Sequence, residues 1–551
     1  MRSSRGSRAW WRAGLAALLL VGVCAVRGDG AVEGPAGEPW TLRVLAGDEL
    51  ADLAPVLDRA AAATGVTVRF GHAGSREIAR RVVTGRDLDG YDAVWPASDD
   101  YLTVSPGAMG RLGARTQITS SPVILGLRTS VARQLGWDTR PVSWSDIAAA
   151  GGAHRFGFAM SDPHDSHSAV SALLGAATAL AGEGAALRRD DVVRASRPVR
   201  DLFGAQTLRV AGSGELSDAF ARHQGQVPAV DGLFDYESEL LALNASGALR
   251  EPLTLVYPTD GVVTAHYPLS LLASASPGAR NAYVRLVRYL RSPAVQREIM
   301  AETRRRPAVP AVRPDAGFGD RRIFELPFPS TAAVIDDLVD AYEGTLRRPA
   351  RTVYVLDTSG SMAGPRLADL QAALNVLTGA GQGVGPVPGS GPGVGPGARF
   401  REREQTTLLP FGAQPSPATT FDLPPENPGP VLDRIRAFGA GLAAAGGTAI
   451  YDALVEAYRV LAGQAAADPD RITSIVLLTD GENNTGRDRA AFVAFHGGLP
   501  AGLRSVPVFP VLFADSDAAR MRDLAALTGG RTFDARTEPL GAVFAAIRGH
   551  Q

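Results

Sequence analysis

The chain has 551 residues, of which 45% are apolar and 21% charged, and its formal net charge is −1. That composition belongs to folded globular protein, and the length exceeds the roughly 250–300 residues at which a single core stops growing, so more than one domain is required. With 56 basic and 57 acidic residues in balance, there is no overall field to draw in nucleic acid, and that class of partner is set aside.

The first predicted element is an export signal over residues 1–26. Arg2, Arg5, Arg8 and Arg12 precede an unbroken apolar run, AGLAALLLVGVCAV. The run is too short for a bilayer span of about 20 residues and has the layout of a signal peptide. The chain is therefore expected outside the cytoplasm, in the cell envelope, either anchored or secreted. Cys24, the only cysteine, leaves two processing routes open. Val23-Cys24-Ala25 fits a cleavage site, whereas LVGVC resembles a lipoprotein signal in which Cys24 carries lipid. No later segment is apolar and long enough to span a membrane, so membrane contact is expected only through this N-terminal anchor or lipid. Without a cysteine pair, stability must come from packed cores.

A Gly/Pro/Glu spacer over 27–40 leads into a first domain predicted over 41–302. TLRVLA (41–46), VTVRFG (66–71) and YDAVWPA (91–97) read as strands, and residues 50–64 read as a helix with Leu53, Val56, Leu57 and Ala61 on one face. This alternation implies parallel sheets with crossover helices. SPVILGL (121–127) and LTLVYP (253–258) are further apolar runs expected to cross between two lobes. Residues 303–348 change character, being rich in Pro and Arg, and are expected to form a linker ending in a short helix over 331–344. A second α/β domain follows over 349–551, with strands at 351–356, 404–411, 472–479, 506–513 and 531–534. The Gly/Pro-rich stretch 379–398 cannot build a core and is expected as a flexible insertion.

Ligands of open α/β sheets bind beyond the carboxyl ends of strands. Asp357, Ser359 and Ser361 take that position after RTVYVL, in DTSGS. Thr448 lies on a glycine-freed loop in GGTAIYDAL, just before a helix, and Thr479 and Asp480 directly follow the apolar strand IVLLT. Asp, Ser and Thr offer only hard oxygen donors, which suit Mg²⁺ or Mn²⁺ and disfavour zinc or copper. Read as a turn, DxSxS would be commonplace; three separated loops ending alike argue against that. A nucleophilic serine is rejected, because Ser361 lacks the G-x-S-x-G elbow and no histidine stands in these loops.

On these motifs, DTSGS at 357–361, Thr448 in GGT and TDG at 479–481, the chain resembles von Willebrand factor A domains with a metal-ion-dependent adhesion site. The resemblance implies Asp357, Ser359, Ser361, Thr448 and Asp480 as the metal set, a doubly wound Rossmann-like fold, and a protein partner presenting a carboxylate to the metal. The first domain resembles type 2 periplasmic solute-binding proteins, two lobes around a cleft, through its strand–helix order and the segments WPAS, MSDPHDSHS and YPTDGVVTAHYP. YPTDG and ELPFP ahead of an adhesion-site domain look like bacterial envelope proteins that fuse both modules. Such a cleft captures small solutes with hydroxyls and helix N-termini. Candidate positions are Ser75, Ser166, Ser168, Tyr257 and Tyr267, each equally readable as a helix cap or buried tyrosine. Asp48 and Glu49 in AGDEL would repel an anion there. His164 and His167, flanked by acids, are read as part of a solvated loop rather than a zinc site.

The expected function is non-enzymatic, for want of any nucleophile–base or acid pair at reactive spacing. The second domain would bind a protein through the metal, and the first would sense a small solute or act as scaffold. The alternative is the solute receptor of an ABC-type import system, with the second domain serving docking.

Overall fold

The computed structural model describes residues 38–550, apart from 183, 211, 226–228, 319–322, 380–398, 481, 513–516 and 539. The expected export signal with Cys24, nearly all of the spacer and residues 380–398 of the insertion lie outside the described residues. Among the described residues no helix is long and apolar enough to cross a membrane.

The architecture is mixed α/β, with three sheets. In the first, the strands lie in the order Val66–His72, Trp40–Ala46, Ala93–Trp95, Pro268–Leu272, Leu112–Gln117. The first three run parallel and Pro268–Leu272 antiparallel to its neighbours. In the second, the order is Thr264–Ala265, Thr119–Arg128, Gly232–Tyr236, Phe158–Ser161, Gln206–Val210. The helix expected over 50–64 divides into a 3₁₀ turn at Asp48–Leu53 and an α-helix at Ala54–Thr64. Pro55 is the reason, since it lacks an N–H and is tolerated only in the first turn of an α-helix.

The chain passes between these two sheets at Ile118 and again at 266–267. The passages touch, with the Ile118 N–H donating to the Tyr267 carbonyl at 3.3 Å. The apolar runs at 121–127 and 253–258, expected to make the crossings, instead pair with each other inside the second sheet. Their burial there explains why both read as continuous apolar stretches.

The described residues of 303–318 and 323–346 are built into the first unit. Arg306–Pro307 pairs with Thr119–Arg128, and Arg305 is wholly buried. The short helix is Ala332–Ala341, continued by a π-turn at Tyr342–Leu346. Its Val334, Ile335, Leu338 and Val339 enter the same core as Leu173, Val199 and Phe203.

The third sheet has the order Thr419–Asp422, Gln405–Phe411, Ala350–Asp357, Ile472–Thr479, Val508–Leu512, Phe533–Asp534, parallel except at the first strand. Thr419–Asp422 is a strand the sequence reading missed, because TTFD lies among prolines and has no apolar run. Ala350–Asp357 is buried along its whole length. Tyr354 and Leu356 face one layer of helices, Val353 and Val355 the other, as the two-residue period of a strand demands.

The units meet at the amino ends of this sheet. Arg209 of the first unit and Arg347 both hold Glu343, the latter at 2.8 Å; Arg347 also reaches Glu404 at 3.2 Å, and Arg548 pairs with Glu404 as well. All five side chains are buried. Beside this joint lies a cavity of about 860 Å³, walled by both units through residues such as Leu208, Ala219, Ile472 and Phe509.

One tight approach fixes the edge of the second sheet. A Cβ at Gly157 would stand 1.9 Å from the Ala229 carbonyl oxygen and 2.8 Å from Thr207 Oγ1. Both are backbone or backbone-tethered atoms, so they cannot yield cheaply. Gly157→Ala is expected to cost about 3 kcal/mol, at the upper end of overpacking penalties, measured as a drop in the urea midpoint without a change of slope.

Candidate functional site

Three loops converge at the carboxyl ends of the third sheet. After Asp357, the Thr358 N–H and hydroxyl both donate to the Phe411 carbonyl, at 2.8 and 3.0 Å, which pins the turn to the neighbouring strand. The Ser359 N–H donates to Asp357 Oδ1 at 2.8 Å. The second loop is tied on by Gly360 N–H to the Gly446 carbonyl, 2.9 Å, and Ala445 N–H to the Thr358 carbonyl, 2.8 Å. Gly446 has φ 79°, a left-handed conformation that favours glycine. The third loop joins through Asn484, whose side-chain oxygen accepts from the Thr448 N–H at 2.8 Å.

Within this frame the side-chain oxygens form a chain. Ser359 Oγ and Ser361 Oγ are 2.9 Å apart, and Ser361 Oγ donates to Asp480 Oδ1 at 2.9 Å. Asp357 Oδ2 accepts from the Thr479 hydroxyl at 2.6 Å. Asp357, Ser359, Thr448 and Asp480 are buried, and Ser361 stands at the exposed mouth. Asp357, Ser359, Ser361 and Asp480 thus gather into one cluster, with Thr448 brought to the same rim by its backbone.

The electrostatics of the rim are short of positive charge. Burial pushes the Asp357 carboxyl up from its ordinary value and nearby Asp480 adds to this, while the hydrogen bonds from Thr479 and Ser359 oppose it. Among the described residues, the cation seen in contact is Arg366, whose Nη1 lies 2.6 Å from Asp480 Oδ2. Sequence reasoning missed Arg366, though its place in the first turn of the helix Pro365–Leu377 put it within reach of the strand end. It also left Thr479 out of the set; a hydroxyl directly before Asp480 was the available signal. The donor set is oxygen throughout, which fits a hard dication better than a soft one.

The two-lobed unit has its own small cavity, of about 90 Å³, where Ser75 and Ser166 stand on the wall with Asp48, Glu49, Asp165 and Tyr236. Ser75 Oγ accepts from the Ala97 N–H at 2.9 Å. Ser166 caps the helix His167–Ala181 and sits 3.1 Å from Ser168 Oγ. Tyr267 is buried with its ring 4.8 Å from the Arg305 guanidinium carbon. The Tyr257 hydroxyl donates to Glu237, a carboxylate that Arg306 also holds, at 2.6 Å. Of the five candidates, the cavity wall therefore includes the two serines Ser75 and Ser166; Ser168 backs Ser166, and the tyrosines are engaged elsewhere.

The solvated-loop reading of His164 and His167 is corrected. His164 lies 3.3 Å from Asp162 and 3.5 Å from Glu343. Burial works against its charge, but hydrogen bonds to those two carboxylates prevail and hold it up at about 9. Asp162, His164 and Glu343 cluster closely enough to hold a metal ion, but Arg209 already pairs with both carboxylates. His167 stacks on Tyr236 and is driven down to about 4 by burial. The flanking acids suggested solvent; one of them, Asp162, is a partner of His164 instead.

A family model described as bacterial extracellular solute-binding protein matches residues 42–302, and one described as von Willebrand factor type A domain matches residues 352–482. Among solved structures, the chain is similar to the periplasmic binding protein AfuA from Actinobacillus pleuropneumoniae, at 13% identity and TM-score 0.43 over 56% of this chain and 98% of that one. It is also similar to the sulfate-binding protein SubI from Mycobacterium tuberculosis, at 20% identity and TM-score 0.36 over 54% and 96%. A periplasmic thiamin-binding protein matches at 15% identity and TM-score 0.43 over 56% and 98%. A search of curated proteins finds no match to the chain.

Proposed function

The chain joins a bacterial extracellular solute-binding domain to a von Willebrand factor type A domain, and from that premise we propose an exported envelope protein that grips a protein partner through a divalent metal ion. The first domain serves as solute sensor or scaffold, and the chain is not an enzyme. The observation that carries this reading is the hydrogen-bonded meeting of Asp357, Ser359, Ser361 and Asp480 at one strand-end rim, with the Thr448 loop locked against it.

Those five residues would hold Mg²⁺ or Mn²⁺. Bound there, the ion supplies a positive centre able to take one further oxygen, such as a carboxylate of the partner. The chain's own part is to preset the donors. Thr479 and the Ser359 N–H orient Asp357, Ser361 bridges to Asp480, and Arg366 balances the outer oxygen of Asp480.

The test is capture of partners from envelope extract by the full chain, in Mg²⁺ and in EDTA, with native and Asp357→Ala protein. Partner recovery is expected to fall at least tenfold in EDTA and in the variant, with the far-UV spectrum unchanged. Equal recovery in all arms would defeat the reading.

A further inference from the structure

The small cavity of the first domain has an unusual balance of charge. Its wall includes the carboxylates of Asp48, Glu49 and Asp165, and among the described residues lining it there is no arginine. Behind the wall stand more acids. Asp52 and Glu239 flank Arg305, at 2.6 and 3.8 Å, and Asp235 is wholly buried. Off the wall, the His72 ring stands 3.7 Å from Asp48, and Arg76 and Arg209 act on Asp165. Arg305, the arginine beside Asp52 and Glu239, is already committed. One nitrogen holds Asp52 and another donates to the backbone carbonyl of Glu49 at 2.7 Å, not to its carboxylate.

Two polar atoms on the wall are buried without a protein partner, Glu49 Oε1 and His167 Nε2. Such atoms cost the fold free energy unless something satisfies them. His167 does not offset the acids, because burial keeps its imidazole neutral. Its Nδ1 is within hydrogen-bond distance of the Tyr236 hydroxyl, 3.2 Å, and of the Ser171 hydroxyl, 3.3 Å, which leaves Nε2 as the nitrogen open to a ligand. A ligand that brings N–H donors and positive charge answers both deficits at once. An anion meets three acidic side chains and, among the described lining residues, no arginine to receive it.

Geometry separates an organic cation from a bare metal ion. Among the described residues, the group of three or more ligating side chains gathered within 4.8 Å is Asp162, His164 and Glu343, which are not on this wall. The cavity's donors are spread around a space instead of aimed at a point. About 90 Å³ has room for several waters or one small head group.

Resting on the reading of the first domain as a solute-capturing module, we infer that its cleft binds a small organic cation, an amine or guanidinium head group seated between Glu49, Asp165 and Tyr236. The remainder of such a ligand extends past Asp48, an exposed carboxylate of the wall, toward solvent.

The inference is tested by calorimetric titration of the full chain with agmatine and putrescine as cationic probes, and with sulfate, inorganic phosphate and glucose as comparators. Agmatine or putrescine is expected to bind, and Glu49→Gln to weaken binding at least tenfold. Asp165→Asn is expected to act in the same direction and stands in if Glu49→Gln does not fold. Asp340→Asn, at an exposed position away from this wall, is expected to leave the titration unchanged. Binding of sulfate, phosphate or glucose in place of the cations would overturn the cationic assignment and leave solute capture standing. Cation binding insensitive to both cleft variants would overturn the location. Binding of none of the five probes would overturn the assignment and the solute-capture reading with it.

Discussion

Glu343→Gln is expected to lower the unfolding free energy by about 3–5 kcal/mol, the usual cost of breaking a buried ion pair by removing one partner. Glu343 is buried and meets Arg209, Arg347 at 2.8 Å, Arg401 at 2.9 Å and His164 at 3.5 Å. Burial alone would raise its pKa; the three arginines overcome this and hold it well below the ordinary carboxylate range. A glutamine of the same shape keeps the packing and removes the charge, so Arg209 and Arg347 stay desolvated with less to balance them. Glu343 belongs to the π-turn packed on the first unit, and Arg347 passes the chain of charges to Glu404 and Arg548 of the second. The loss should therefore also weaken the joint, so that one unfolding transition separates into two. Calorimetry of Glu343→Gln measures both effects, and the exposed Asp340→Asn, expected within about 0.5 kcal/mol, is the control. A single transition of unchanged midpoint would refute the expectation.

With pH, the contribution of Glu49 to stability should be complete in acid and lost toward neutrality, while His167 and His550, driven down to about 4 by burial, pull the other way between 4 and 6.5. Burial moves Glu49 from its ordinary 4.5 up to about 7, against the opposing pull of its own backbone amide and Arg305. Its folded form binds a proton more readily than its unfolded form, so the contribution is complete below about pH 4.5 and is lost as pH rises through 7. The most this group can account for is about 3 kcal/mol. Asp52, Asp235 and Glu239, also raised chiefly by burial, act in the same direction. His164, held at about 9, has the same sign in a later window, with stability complete below about 6.5 and lost through 9. Below pH 4 the lowered carboxyls of Asp162 and Glu343 reverse the trend. Urea midpoints of native and Glu49→Gln protein at pH 5, 7 and 9 check this: the stability of the native chain relative to the variant should fall from pH 5 to 9, by at most about 3 kcal/mol. A difference that stays constant or grows in favour of the native chain would contradict this reading.

The rim of the third sheet was legible because each of its parts is local. An apolar strand that stops at Asp357, and another that stops at Thr479 and Asp480, announce their own ends, and the parallel order of the sheet brings those ends to one side. The two-lobed fold was legible in outline for the same reason, as alternating strands and helices. What pairs with what at long range was not. Arg209 and Glu343 are 134 residues apart, and Arg548 and Glu404 are 144 apart, and in sequence each looks like an ordinary surface charge. His164 misled because acids beside a histidine suggest water, and only the fold reveals that Glu343 returns to cover it. Tyr257 looked like a cleft residue until Glu237 was found beneath its hydroxyl.

Strand Ala350–Asp357 begins just past Arg347 and Arg348 and ends at the acidic rim. Its eight residues, at about 3.3 Å each, set the two poles of the second unit roughly 25 Å apart. A macromolecule tethered at the rim would sit at the opposite end of that strand from the joint with the first unit. Traction on such a tether would run lengthwise down a strand hydrogen-bonded along both edges, a shear geometry in which the whole ladder resists at once instead of unzipping rung by rung.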